Sequence, residues 1–310
     1  MKTRKIIKGL RPMSAIVMGC DHMGEAISIN QALSELELYA SCGGNVLDTA
    51  RSYALIDGVS ISEKTVGEFL RSSGCRHEMI VMTKGGRDIE PFSDYLKKAR
   101  EDYLSSCDQL GTVPDVWFLH RDCPSLPVAE IIQYCTSFLQ GSLLGLSNWS
   151  PSRFTEAMAQ GSPAISEIQF SLAPSTPQLH GDSTLVCMDQ ENRRFYKASQ
   201  IPVLAYSSQA KGYFSKLIAG TDLSAKAKQR FDNPISQERV SRVQFLGRQL
   251  DVPPAAIVTS YIASQKDFPA FPIVAGSSLA QLEESLQGGD VELSSSQIAY
   301  LESSASNLGD

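Results

Sequence analysis

Short apolar runs recur eight times along this chain, and a helix-like stretch separates nearly every pair of them. The runs span 15–18, 46–47, 79–83, 115–119, 143–146, 165–168, 202–205 and 272–274. Between or after them lie stretches with apolar residues at helical spacing: 25–40, 64–72, 93–110, 128–140, 151–160, 191–199, 239–250, 254–264 and 279–286. Strands alternating with helices imply parallel pairing through right-handed crossovers. Eight such units in about 300 residues predict a (β/α)8 TIM barrel, an α/β fold, as a single domain over residues 1–310. An open doubly wound sheet is the other arrangement this pattern permits. It would normally carry G-x-G-x-x-G after its first strand, and none follows residue 18.

Charge and cysteine usage exclude several classes of function. The net charge is −6 and no Lys/Arg-rich run occurs, which argues against a nucleic-acid partner. The seven cysteines are odd in number and widely spaced, with no C-x-x-C, so neither a disulfide framework nor a structural zinc site is expected. The four histidines show no metal-binding spacing, and no metal is predicted. Arg11-Pro12 interrupts the N-terminal segment, and the apolar run at 15–18 is far shorter than a signal core of about 7–15 residues. No window approaches the roughly 20 apolar residues of a membrane span. A cytoplasmic protein without a membrane partner is the expectation; the oligomeric state is open.

In a barrel of this kind catalytic groups sit where strands end. Asp48 ends the second predicted strand, Lys84 the third and His120 the fourth, with Tyr53 five residues beyond Asp48 at the predicted start of a helix. Adjacent strands lie about 5 Å apart, so these side chains should share one small volume. Each has an ordinary reading taken alone: a helix cap, a surface aromatic, a loop lysine, a satisfied histidine. Their joint placement on consecutive strand ends favours chemistry. A buried lysine needs a counter-charge, and Asp48 is the obvious one. The ammonium should in turn lower the pKa of a neighbouring phenol, making Tyr53 a general acid or base.

These residues carry a resemblance to the aldo-keto reductase family. Asn45-Val46-Leu47-Asp48-Thr49-Ala50…Tyr53 resembles its Asp/Tyr segment, Val81-Met82-Thr83-Lys84 its lysine strand and Trp117-Phe118-Leu119-His120 its histidine strand. Gly145-Leu146-Ser147-Asn148-Trp149, Glu167-Ile168-Gln169 and Ala205-Tyr206-Ser207-Ser208 resemble later segments, in order, over nearly the whole chain. The resemblance implies hydride transfer between a nicotinamide cofactor, NADP(H) or NAD(H), and a small-molecule carbonyl or alcohol. It makes Tyr53 the proton donor, Lys84 with Asp48 its tuner, and His120 the group orienting the substrate oxygen. It places Ser147, Asn148 and Gln169 on the carboxamide, Tyr206 on the ring, and Ser207, Gln209 and Gly212 along the pyrophosphate. Gly19, Cys20, Asp48, Gly276, Ser277 and Ser278 complete the implied cofactor set. A cofactor-binding auxiliary or regulatory subunit with little turnover is the alternative.

The chain also departs from the family pattern. Cys20 stands where many members have threonine, and Ser208 replaces the usual proline. The segment after the last strand, Ala275 to Glu284, holds no basic residue to meet a 2′-phosphate. NADP(H) is the default that the resemblance implies, with Lys211 or Lys216 of the long loop as the residues to reach over, and NAD(H) is a serious alternative. Around the expected mouth lie Asp21, His22, Arg87, Asp88, Arg121 and Asp122, with Trp149 and Phe170 nearby. His22, Arg121 and Trp149, with Tyr53 and His120, are the expected substrate contacts, and their mix of polar and aromatic groups suits a polar, sugar-like ligand.

Overall fold

Eight parallel strands close into a barrel in the computed structural model, which describes residues 1–87, 94–161 and 163–303. Asp88 and Ser93, placed at the mouth and at a helix start by the sequence, lie outside the described residues. The strands are β1 (Val17–Gly19), β2 (Val46–Asp48), β3 (Ile80–Gly85), β4 (Val116–Leu119), β5 (Leu143–Ser147), β6 (Ile165–Gln169), β7 (Val203–Tyr206) and β8 (Ala270–Val274). Each pairs with its sequence neighbours, and β8 closes on β1 through Ile273 opposite Val17 and Val274 opposite Met18. Met18 and Gly19 pair with Leu47 and Asp48, and Leu47 and Asp48 with Val81 and Met82, so the polar strand ends emerge on one rim.

The strands read as continuous apolar runs because both faces are buried. Inward, Val17, Val46, Ile80, Met82, Val116, Phe118, Ile165, Leu204 and Phe271 form one cluster. The short antiparallel pair Thr3–Arg4 with Met13–Ser14 brings Ile7 and Met13 into that cluster. Gly145 on β5 is required here: a Cβ on it would lie 2.5 Å from the Phe118 ring. Outward, Ile16, Met18, Leu47 and Val81 pack against the helices Ile29–Ser41 and Ile61–Ser73. Burial of each large side chain contributes about 1.5–3 kcal/mol.

Local chemistry sets where the helices begin. The first starts at Ile29 rather than 25, because the Ser28 side chain accepts the Gln31 N–H and caps it. Ser60 caps Ile61–Ser73 in the same way, and Gly74 ends that helix in a left-handed conformation. Tyr53 does not start a helix. It lies in a turn before a small hairpin, Leu55–Ile56 with Val59–Ser60, and its carbonyl accepts from Ser60 Oγ at 2.9 Å. The long excursion after β7 folds into a 3-10 turn, Ala210–Gly212, and two short helices, Tyr213–Ile218 and Ala225–Phe231. Among the described residues no helix is long and apolar enough to cross a membrane.

Candidate active site

The carboxyl ends of the strands open on a cavity of about 880 Å³, within the size range of small-molecule sites. Lys84, fully buried at the end of β3, does not line it but sits directly behind the lining carboxyls of Asp48 and Glu167. Its Nζ donates to both Asp48 oxygens at 2.6 Å and to the Thr49 carbonyl at 3.1 Å. A second carboxylate, Glu167 of β6, places Oε2 3.2 Å from Nζ, without a well-directed hydrogen bond to it. Burial works against the ammonium, but Asp48, Glu167 and the Tyr53 phenol outweigh it and hold the Lys84 pKa well above its usual value. Two carboxyls facing one cation leave one charge too many in a dry site. Burial, with the repulsion of Asp48, pushes Glu167 up to about 8.

Tyr53 and His120 stand over this cluster. Lys84 Nζ lies 5.2 Å from the Tyr53 ring centre, and the Tyr53 and His120 rings meet edge to face at 6.0 Å. The sequence-based expectation of a lowered phenol pKa is corrected here. Burial dominates, Asp48, Glu167 and Asp21 act against the ammonium, and the Tyr53 pKa rises above the usual 10. The phenol is thus an acid that keeps its proton through the neutral range. Burial, together with the charges of Lys84, Arg121 and Arg87, holds His120 well below its usual pKa, so it is a neutral imidazole.

The rest of the cavity divides into a head and an outer lobe. At the head, Ser147, Asn148, Glu167 and Tyr206 line the wall. Asn148 adopts φ 60°, donates to Ser147 Oγ at 2.9 Å and accepts from the Tyr206 hydroxyl at 2.7 Å. Ser207, Gln209, Lys211, Gly212 and Lys216 after β7, with Gly276, Ser277, Gln281 and Glu284 after β8, line the outer lobe. Ser207, Ala210 and Lys211 all have positive φ, a conformation costing of order 1 kcal/mol each that clusters at functional sites. Hydroxyl and amide groups at the head, a flat aromatic beside them and two lysines further out suit an elongated ligand with an amide head and an anionic middle. Gly19, Asp21, His22, Asp48 and Arg121 complete the near wall. His22 Nε2 pairs with the buried Glu35 at 2.7 Å; although burial opposes the charge, Asp21 and Glu35 raise its pKa to about 9. Arg121 is held by His120 O beside it and joins the segment after β6 through Thr184 and Asp182.

Four expected contacts do not line the cavity. Cys20 is fully buried, packed with Ile16, Met18 and Leu47. Ser278 caps the helix Leu279–Leu286, accepting the Gln281 N–H. Trp149 is fully buried beneath the Arg153 guanidinium, 5.4 Å above its ring, and Arg153 grips Asp122 with two hydrogen bonds. Gln169 is buried and donates to Ser171 Oγ at 3.2 Å. Glu167, two residues earlier on the same strand, lines the cavity instead. Period-two alternation gave the two side chains one face, so strand geometry could have flagged Glu167 beside Gln169.

Comparison with known proteins agrees with this geometry. The Aldo/keto reductase family profile matches residues 15–306. The chain belongs to the aldo/keto reductase family. It is 24% identical to the aldo-keto reductase ausK of Emericella nidulans, over 95% of this chain and 79% of that protein. It is 22% identical to the aldo-keto reductase yakc [NADP(+)] of Schizosaccharomyces pombe, over 98% and 92%. The crystal structure of an aldo-keto reductase from Klebsiella pneumoniae in complex with NADPH superposes with a TM-score of 0.70 at 19% identity, covering 97% of this chain and 94% of that one. The aldo/keto reductase barrel is thus the fold of this protein.

Proposed function

We propose that this protein reduces a carbonyl, or oxidises the corresponding alcohol, with a nicotinamide cofactor, NADP(H) or NAD(H), lying along the head and outer lobe of the cavity. The observation that carries the proposal is that Tyr53, His120 and Asp48, with Lys84 buried behind Asp48, meet in a cavity that Ser147, Asn148 and Tyr206 also line. The cofactor supplies or accepts the hydride. Tyr53, kept protonated by burial, gives its proton to the carbonyl oxygen in the reductive direction. Lys84, held charged chiefly by Asp48, supplies the positive field that stabilises the phenolate left behind. Neutral His120 donates a hydrogen bond that positions the substrate oxygen. Ser147 and Asn148 hold the carboxamide, Tyr206 packs on the ring, and Ser207, Gln209 and Gly212 with Gly276 and Ser277 line the phosphates. His22, Asp21 and Arg121 at the mouth favour a polar, hydroxylated substrate.

The test is NAD(P)H oxidation over a panel of carbonyl compounds, run beside equilibrium cofactor binding. Turnover on at least one small polar carbonyl is the expected outcome. Tight cofactor binding with no turnover on any member, together with a stable protein partner in pull-down, would instead establish the auxiliary-subunit reading. Absence of cofactor binding would overturn both.

A further inference from the structure

Glu167 is the carboxyl at the head of the cavity, and the proton-transfer scheme above does not use it. Its side chain is buried, it lines the cavity, and Oε2 has no hydrogen-bond partner among the described residues. It sits between two functions. On one side Lys84 Nζ is 3.2 Å away. On the other, strand register sets Glu167 opposite Ser147, and its carbonyl accepts the Asn148 N–H at 2.9 Å. Asp48 on β2, Lys84 on β3 and Arg121 after β4 act on its charge, and its charge in turn acts on Tyr53 and on Tyr206 of β7; His120 after β4, and Asp21 and His22 after β1, line the same cavity. The cations here are Lys84, Arg121 and, beside Asp21, His22, and each is already paired: with Asp48, with Asp182 and with Glu35.

We propose that Glu167 is the charge-setting residue of the cofactor head: it shares one proton with the Asp48–Lys84 pair and gives it up when a cationic, oxidised nicotinamide binds beside it. This rests on the cofactor reading above. The free site holds that proton up to a pH of about 8, because burial and Asp48 disfavour a second carboxylate. A positive ring next to Glu167 replaces the missing counter-charge, so the proton leaves to solvent as the oxidised cofactor enters. The neutral, reduced ring offers no such compensation. Rising pH should therefore tighten the oxidised cofactor relative to the reduced one.

The experiment is the dissociation constant of NADP+ and of NADPH, and of the NAD pair, from pH 6 to 9.5 in wild type and Glu167→Gln. The two redox forms share every phosphate, so titration of His22, Lys211 or Lys216 against the phosphates cancels in their ratio. In wild type the ratio should move about tenfold toward the oxidised form, the modest end of what a nearby charge produces at a protein's effective dielectric. In Glu167→Gln it should be flat. Calorimetry of wild type in buffers of different ionisation enthalpy supplies a readout that needs no variant: oxidised cofactor should release a fraction of a proton near pH 8, and reduced cofactor should not. A pH-independent ratio in wild type, equal proton release for the two forms, or the same slope in Glu167→Gln overturns the proposal while leaving the cofactor reading intact. No binding of either form at any pH overturns both.

Discussion

Lys84 carries a full charge with no exposed surface, and the site is arranged to tolerate it. Removing one partner of a buried ion pair strands the other and costs about 3–5 kcal/mol. Lys84→Met should therefore lower the thermal unfolding midpoint by several degrees, because Asp48 and Glu167 then face each other without a cation. Adding Asp48→Asn should recover part of that loss, since contacting residues are not additive. Equal midpoints for Lys84→Met and wild type would show that the pair stores no such penalty. The burial that protects Lys84 also makes Tyr53 a weaker acid than its sequence neighbours imply. Its neighbours were legible as Asp48 and Lys84, but the depth of the phenol and the second carboxylate were not. Those two features turn a lowered pKa into a raised one.

Between strands and helices, two contacts give separate predictions. Gly145 on β5 lets the Phe118 ring of β4 lie against its backbone. Gly145→Ala should overpack the barrel interior and cost about 1–3 kcal/mol in denaturant unfolding; an unchanged midpoint would mean that Phe118 moves freely aside. Glu63, on the helix Ile61–Ser73, is buried and accepts from Thr83 Oγ1 of β3 at 2.6 Å. Burial outweighs its hydrogen bonds and raises its pKa from 4.5 to about 7. The folded protein thus holds a proton that the unfolded chain releases. Stability from this group is full below pH 4.5 and is lost as pH rises through 7, by roughly 3 kcal/mol at most. Glu63→Gln should flatten the fall in unfolding midpoint between pH 5 and 8, and an unchanged slope would assign that fall elsewhere. At this scale the alternation of strands and helices was legible because parallel strands are apolar on both faces. The helix starts shifted because Ser28 and Ser60 cap them. Trp149 misled because it follows Asn148 in sequence. The left-handed turn at Asn148 sends the chain outward, and Trp149 ends under Arg153.

For the whole molecule, the barrel brings residues from 19 to 285 to one mouth, so spacing in sequence says little about distance in space. The barrel could be counted from strands, whereas the cavity wall could not, because Glu167 and Gln169 differ only in which of two inward positions reaches the opening. Cofactor phosphate preference also belongs to this scale. No basic residue follows β8, while Lys211 and Lys216 reach the cavity from the loop after β7 and Glu284 faces it. Dissociation constants for NADPH and NADH should therefore lie within about tenfold of each other, a difference of about 1.4 kcal/mol. A preference of several orders of magnitude for NADPH would show that the two lysines grip the 2′-phosphate. The central claim is that Tyr53 is the proton donor of a nicotinamide-dependent reaction. Its most direct test is single-turnover oxidation of bound NAD(P)H by a carbonyl substrate, in wild type and Tyr53→Phe, with cofactor binding measured on the same samples. The predicted result is unchanged cofactor affinity with a rate lowered by at least about a hundredfold; equal rates in the two proteins would contradict it.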